Sequence, residues 1–315
     1  MDIVFMGTPD FAVPSLEKLC KADLTDVVGG ITQPDRKRGR GQKLQAPPVK
    51  EVALDYEVEV YQPEKVTSEA GLDKLTEWAP DLIVVVAYGQ ILGKEVLELP
   101  ELGCINVHAS LLPKYRGAAP LHRALINGEE VTGVTTMQMD EGMDTGDIIL
   151  QEEVKIIPQD TVGSLHDKLA TTGANLLLET LTKIDAGTAP RISQNDEEAT
   201  YAAKVTKDDG AVNWQQSARE IWNLIRGMNP WPGAYTYQDG NLLKLWDSEV
   251  YKETADADYE PGVVVDTDND EGIIIQTGEG QLLITQLQPA NKSRMSAADY
   301  LLGYDLEAGA KLGAK

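Results

Sequence analysis

The first half of the chain alternates short β-branched runs with longer amphipathic stretches, and few folds accommodate that alternation. The runs are Ile3–Met6, Val27–Thr32, Val58–Tyr61, Leu82–Val86 and Cys104–Val107; helical periodicity fills Phe11–Ala22, Val49–Tyr56 and Val66–Trp78 between them. Leu82–Val86 reads LIVVV without a polar interruption, as a strand covered on both faces requires. Strands joined through helices return to the sheet in the same direction. The pattern therefore predicts an α/β fold with a doubly wound, mostly parallel sheet, whose ligands sit at the carboxyl ends of the strands.

The second half changes character. Thr132–Met139 is strand-like, runs into the loop DEGMDTGDI and continues as extended chain. Thr161–Ile184 is the longest helical pattern, with Leu165, Leu169, Leu176, Leu177 and Leu181 on its apolar face and Gly187 as its stop. The following stretch is polar, contains proline and is acidic at its centre, which is a linker's composition. One more helical pattern, Ala218–Met228, ends at NPWPG. Short strand candidates follow at AYTY, LLKLW, GVVVD, GIIIQT and QLLITQL, with QDGN and TGEGQ as hairpin turns. These predict a small OB-like β-barrel. The expected division is a catalytic domain over 1–188, a linker over 189–206 and the barrel over 207–315.

No apolar run approaches the roughly 18 residues of a membrane helix, and MDIVFMGTPD lacks the basic start of a secretory leader. Cys20 and Cys104 lie far apart in apolar company, as free thiols of a reducing compartment do, so a cytoplasmic setting is expected. Three histidines and two cysteines show no ligand spacing, and no metal is expected. A net charge of −23 argues against broad adhesion to nucleic acid or anionic membrane. The charge is uneven, however. Residues 1–50 hold eight Lys and Arg against six Asp and Glu, and five of the eight residues of RKRGRGQK (Arg36 to Lys43) are basic. Residues 201–315 hold ten against eighteen, a net of −8.

The turn after the first strand, MGTPDFAVPS, has neither GxGxxG nor GxxxxGK[ST], so nothing there cradles a pyrophosphate. Chemistry points instead to NVHASLLPKYRGAAP (Asn106 to Pro120), which turns through prolines and glycine with no helix or strand of its own. His108 lies just past a buried-looking strand, and Asn106, two residues earlier, projects to the same side. The loop DEGMDTGDI offers Asp140, Glu141, Asp144 and Asp147 as partners for an imidazole. His122 and His166 fall on helical patterns and read as structural. An Asn amide suits a developing oxyanion, a His with a pKa of about 6.5 passes protons near neutrality, and a carboxylate fixes its tautomer. Ser110 has no separate base. The set fits transfer of an acyl group directly to an amine, without a covalent enzyme intermediate. The acidic loop matches no EF-hand spacing.

NVHASLLPKYRGAAP followed by TGVTTMQMDEGMDTGDII resembles the signature of the folate-dependent formyltransferase family. GTPDFAVPSLEKL, TQPDRKRGRGQKLQAPPVK, VVVAYGQILGKEVLELPELGCINVHASLLP, MNPWPGAY and LQPANKSRMSAADYLLG extend the resemblance over nearly the whole chain. They point to the members that act on tRNA. The resemblance implies a Rossmann-like catalytic domain and 10-formyltetrahydrofolate as co-substrate, without a metal. It further implies that a monomer formylates the α-amine of methionyl-initiator tRNA for translation initiation. Asn106 would hold the formyl oxygen, His108 handle the proton and Asp144 position His108. Ser110, Leu111, Leu112 and Pro113 would contact folate, with Val86, Tyr88 and Gly89 as the pterin wall. Arg36, Lys37, Arg38, Arg40 and Lys43 would meet the tRNA, Arg40 entering the acceptor stem.

The second domain departs from that family's usual basic character. Either its cations cluster on one face, or RNA binding is weak and salt-sensitive, or the source favours acidic proteins. The competing readings are an enzyme of the same superfamily acting on an amino sugar, a purine precursor or formyl-folate itself, and a silent RNA-binding or folate-sensing module.

Overall fold

The computed structural model describes residues 1–38, 41, 43–254, 259–268 and 271–313. Their contacts form two units. One joins Met1–Pro120, Val131–Lys155 and His166–Ala202; the other joins Leu121–Glu130, Ile156–Leu165 and Ala203–Lys315.

The first unit is built on a seven-stranded sheet. From edge to edge its strands are Ile148–Lys155, Val131–Gln138, Cys104–His108, Leu82–Val86, Asp2–Gly7, Asp26–Ile31 and Val60–Tyr61. The last five run parallel, and the first two form an antiparallel pair at one edge. This is the doubly wound, mostly parallel sheet that the alternating pattern predicts.

Strand alternation divides Cys104–His108 into two faces. Val107 meets the helix Val162–Asp185, where a Cβ on Gly173 would lie 2.9 Å from the Val107 side chain, so only glycine permits this approach. A hydrogen bond of 2.7 Å between the Thr136 and Thr180 hydroxyls ties the same helix to the neighbouring strand. Asn106 and His108 take the opposite face, beside Met137 and Thr135 across the antiparallel register.

The second unit carries an antiparallel sheet in the order Ala234–Gln238, Asn241–Lys252, Gln281–Pro289, Gly272–Gln276, Val264–Asp268, with Met295–Ser296 also on Gln281–Pro289. The QDGN turn has both central residues at positive φ, Asp239 at 48° and Gly240 at 75°, as a tight hairpin requires. The C-terminal segment closes the two sheet edges. Gly309 N–H donates to Val264 O and Leu312 N–H to Gly262 O on one side, while Gly313 N–H donates to Tyr237 O on the other, each at 2.8 Å. That converts an open sheet into a barrel and satisfies edges that would otherwise invite pairing.

Three local elements differ from the sequence reading. The basic stretch is partly ordered as a hairpin, Arg36–Arg38 against Lys43–Gln45. The stretch after His108, read as having no element of its own, contains the short strand Arg116–Gly117 and starts the helix Pro120–Ile126. The 189–206 stretch, read as a linker, pairs Tyr201–Ala202 with Arg116–Gly117 and bridges Ile192 to Ile148. Gln194, Asp196 and Thr200 of this stretch bond to other parts of the protein, while most of its polar residues remain exposed.

Candidate active site

His108 ends its strand with the side chain turned under the loop that follows. Its Nε2 is 3.0 Å from the Tyr115 carbonyl oxygen. A carbonyl only accepts, so this nitrogen carries hydrogen and donates. The other nitrogen, Nδ1, faces Asp144 Oδ1 at 3.7 Å, beyond hydrogen-bond length yet close enough for charge attraction. In the neutral ring Nδ1 is therefore the lone-pair nitrogen, on the side of Asp144. Only 7% of His108 is exposed, so little water screens that attraction.

Asp144 is held independently. Its backbone is left-handed, with φ of 54°, and its Oδ2 accepts the Gly117 N–H at 2.8 Å. The other candidate carboxylates are placed elsewhere. Asp140 accepts from Gly142 N–H and the Thr145 hydroxyl within its own loop, Asp147 accepts from the Ser193 hydroxyl, and Glu141 is exposed. Asn106 is 9% exposed, and its amide has no hydrogen-bond partner among the described residues. Its donors are thus available to an incoming oxygen. Together these groups set a neutral amide and an imidazole on one face of the strand Cys104–His108, with a fixed carboxylate beside the imidazole.

The segment Ser110–Pro113 is saturated by its own scaffold. The Ser110 hydroxyl donates to Lys114 O at 2.6 Å, and the Thr135 hydroxyl donates to Ser110 O at 2.6 Å while accepting from Leu112 N–H at 3.1 Å. Gln151 Nε2 donates to Leu112 O at 2.8 Å. Leu112 packs with Met137 and Ile148, and Leu111 lies over Gly133, where a Cβ would sit 2.5 Å from its Cδ2. Pro113 follows a cis peptide bond and accepts from Thr200 N–H.

The expected pterin wall is also rearranged. Val86 is fully buried, and the Tyr88 ring sits in the core with Val4, Met6, Ile31 and Val85. Burial pushes the Tyr88 phenol's pKa up, and its hydroxyl has no partner among the described residues. Its carbonyl accepts from the Thr8 hydroxyl at 2.9 Å. Gly89, at φ of 89°, has open space around it among the described residues, and Ile91 is 88% exposed; Ala87 is exposed as well and Gln90 partly so.

Several supporting residues escape the sequence reading. Gln194 Nε2 donates to Asp144 O at 2.8 Å and Gly146 O at 2.7 Å, while its Oε1 accepts from Arg116 Nε and Nη2. Arg116 is 2% exposed and also pairs with Asp196 at 2.8 Å, which a buried cation requires. Thr200 accepts Tyr115 N–H on its hydroxyl and Arg116 N–H on its carbonyl. The only signal for these interactions is a polar composition shared with any solvated loop.

In the basic hairpin Arg36, Lys37 and Lys43 are exposed. Arg38 lies in its first strand, and Arg40 falls outside the described residues. Its base is pinned: Lys50 Nζ reaches both Asp35 oxygens at 2.9 Å and Gln62 Oε1 at 2.7 Å. Hydrogen bonds from Gln62 and then Lys50 hold the Asp35 carboxyl below its usual pKa.

His122 faces the Trp231 carbonyl, with burial pushing its pKa down, and His166 meets the Phe11 ring edge-on at 5.4 Å, so both have structural places. Among the described residues no group of three or more His, Cys, Asp or Glu is arranged to hold a metal, and no helix is long and apolar enough to cross a membrane.

The formyl transferase family model matches residues 1–181, and the model of the formyl transferase C-terminal domain matches residues 204–305. The methionyl-tRNA formyltransferase of Halothermothrix orenii is 51% identical over 316 residues, covering 99% of this chain and 100% of the relative. That of Clostridioides difficile is 51% identical over 313 residues, with 99% and 100% covered. Among solved structures, WlaRD, a sugar 3N-formyl transferase studied with dTDP and 5-N-formyl-THF, has a TM-score of 0.66 at 21% identity, covering 93% of this chain and 99% of that one. HypX from Aquifex aeolicus, in complex with tetrahydrofolic acid, has a TM-score of 0.61 at 19% identity; the match covers 96% of this chain but only 46% of that one. At such identities the solved structures bear on the fold alone.

Proposed function

The chain belongs to the formyl transferase family, with full-length kinship to the methionyl-tRNA formyltransferases, and from that premise we propose that it transfers the formyl group of 10-formyltetrahydrofolate to the α-amine of methionyl-initiator tRNA, in the cytoplasm, for translation initiation. The neutral amine attacks the formyl carbon directly. As the C–N bond forms, negative charge develops on the formyl oxygen, and the unpaired Asn106 amide donates to it. Removing such a donor costs on the order of 10² to 10³ in rate. The attacking nitrogen becomes positive and releases a proton, which His108 Nδ1 accepts while Asp144 stabilises the imidazolium. The C–N10 bond then breaks, and N10 of tetrahydrofolate leaves with the proton that balances the exchange.

The observation that carries this reading is the orientation of His108. Tyr115 O fixes the hydrogen on Nε2, which leaves the lone pair on the side of Asp144. The open backbone at Gly89 and the exposed Ile91 support a flat apolar ligand beyond the strand Leu82–Val86. The exposed cations of the basic hairpin support an RNA acceptor, and full-length identity of 51% favours that over an amino sugar. The test is formylation of methionyl-initiator tRNA, with elongator methionyl-tRNA alongside, at low and high salt. Rapid formylation of the initiator alone is expected. No product with folate still bound would move the reading to an amino-sugar acceptor.

A further inference from the structure

Residues 201–315, which make up most of the second unit, hold ten cations against eighteen carboxylates, so this part of the chain is poorly suited to grip RNA by releasing counterions. Four of its cations nevertheless gather around two tryptophans. The helix Ala218–Gly227 places Arg219, Trp222 and Arg226 at helical spacing, with the two guanidiniums 5.0 and 4.2 Å from the Trp222 ring centroid. On the strand Asn241–Lys252, Trp246 has Lys244 Nζ at 5.3 Å and the Arg294 guanidinium at 5.5 Å. Both tryptophans line one cavity of about 540 Å³, within the roughly 300–1,000 Å³ of small-molecule sites.

The lining narrows the ligand. Asp160, Asp247 and Glu249 face Arg219 and Arg226, an excess of one negative charge, and Arg219 also pairs with Glu253. A phosphate gains little there. A flat neutral ring suits it better, because Trp and guanidinium planes both stack on π-faces. The stacking planes are held in place. Asn223 Oδ1 accepts from Arg226 Nε at 3.0 Å and Nη2 at 2.7 Å, which fixes the guanidinium plane. Trp246 is anchored by its own N–H to Gln288 at 3.0 Å.

We propose that this cavity takes up one unpaired nucleobase of the RNA substrate, stacked on the tryptophan–arginine planes. Stacking of this kind contributes about 1–3 kcal/mol per base and tolerates an acidic surface, since it does not act through net charge. An acidic unit thereby contributes to RNA affinity. The inference rests on the RNA-acceptor reading above.

The test uses the full-length protein and methionyl-initiator tRNA, measuring tRNA Kd across a salt series together with KM for formyl-folate. Trp222→Ala is expected to weaken tRNA binding about five- to a hundred-fold, with the salt slope and the folate KM unchanged, and Trp222→Phe to retain most of the affinity. Trp246→Ala, at the second stacking plane, is expected to weaken tRNA several-fold as well, again with the salt slope and the folate KM unchanged. Wild-type tRNA affinity in both alanine variants would overturn the proposal. So would a loss of affinity accompanied by a shallower salt slope, which marks a phosphate site. A wild-type protein that neither binds nor formylates the tRNA would sink the acceptor reading, and this inference with it.

Discussion

The catalytic loops and the basic hairpin belong to the same unit and are built in opposite ways. Around His108 nearly every polar group is engaged: Tyr115 O and Asp144 on the ring, Gly117 N–H on Asp144, Gln194 on the Asp144 carbonyl, Thr135 on Ser110 and Leu112. Asn106 alone of the three central groups keeps its amide unpaired. In the hairpin the base is pinned through Asp35, Lys50 and Gln62, while Lys37 and Lys43 project into solvent. The contrast fits the proposed tasks. Acyl transfer needs the oxyanion donor and proton acceptor held to a fraction of an ångström, and a misplacement of about 1 Å costs on the order of 10² in rate. A phosphate backbone is met by charge, which falls off gently with distance and rewards side chains able to adapt.

The strongest way to break the comparison is His108→Ala. If the saturated loops exist to orient the imidazole, kcat for formyl transfer should fall on the order of 10³ or more, with folate binding within a few-fold of wild type. Steady-state kinetics paired with folate titration reads both. Equal loss of turnover and folate affinity would make His108 a structural residue and the network around it mere scaffolding.

The sequence exposes parts of this arrangement and hides others for identifiable reasons. Asn106 and His108 are legible because strand alternation puts positions two apart on one face, and an apolar run marks the strand's end. Asp144 is one of four open carboxylates on the residues alone; the structure brings it to His108 through a left-handed φ and the Gly117 N–H. Gln194 and Thr200 act 78 and 85 residues away from their partners Arg116 and Tyr115, and a composition reading cannot distinguish a polar segment that binds protein from one that binds water. The family resemblance puts Tyr88 in the pterin wall, just beyond the strand LIVVV. Ala87, at φ of 47°, turns the chain there, and the Tyr88 ring lies in the core. In the barrel the QDGN hairpin is visible from its turn chemistry, whereas closure by Gly309–Gly313 is a long-range pairing without a local signature.

A matched pair of substitutions sharpens the contrast. Gly117 has φ of 114°, and a Cβ there would lie 2.9 Å from the Ala202 carbonyl oxygen. Gly117→Ala is therefore strained both in its backbone and against its neighbour, and the strain shifts the N–H that holds Asp144. The expected result is a fall in kcat of about 10- to 100-fold with little change in the KM for tRNA, together with a lower thermal midpoint. Among the described residues, a Cβ added to Gly41, in the basic hairpin, would meet Lys43 Cγ at an ordinary 3.7 Å. Gly41→Ala should leave kcat, both KM values and the midpoint unchanged. Similar losses in the two variants would show that the hairpin is as conformationally constrained as the catalytic loops.

The smallest effect should come from the hairpin's charges. Lys37 and Lys43 are exposed, so replacing both with Ala should move stability by no more than about 0.5 kcal/mol each and leave kcat intact. The KM for tRNA should rise several-fold, and the slope of log affinity against log salt should flatten by about one for each phosphate left unneutralised. The protein's net charge of −23 does not cancel this attraction near physiological salt. Screening over about 8 Å confines each interaction to its neighbourhood, so the hairpin's cations act on phosphates beside them while distant carboxylates contribute little. Lowering the salt lengthens that range and lets the distant carboxylates repel the RNA too. The wild type's affinity should then gain less at very low salt than its slope near physiological salt implies, and the double variant should fall furthest behind there. A variant whose tRNA KM and salt slope both match wild type would remove the hairpin from RNA recognition.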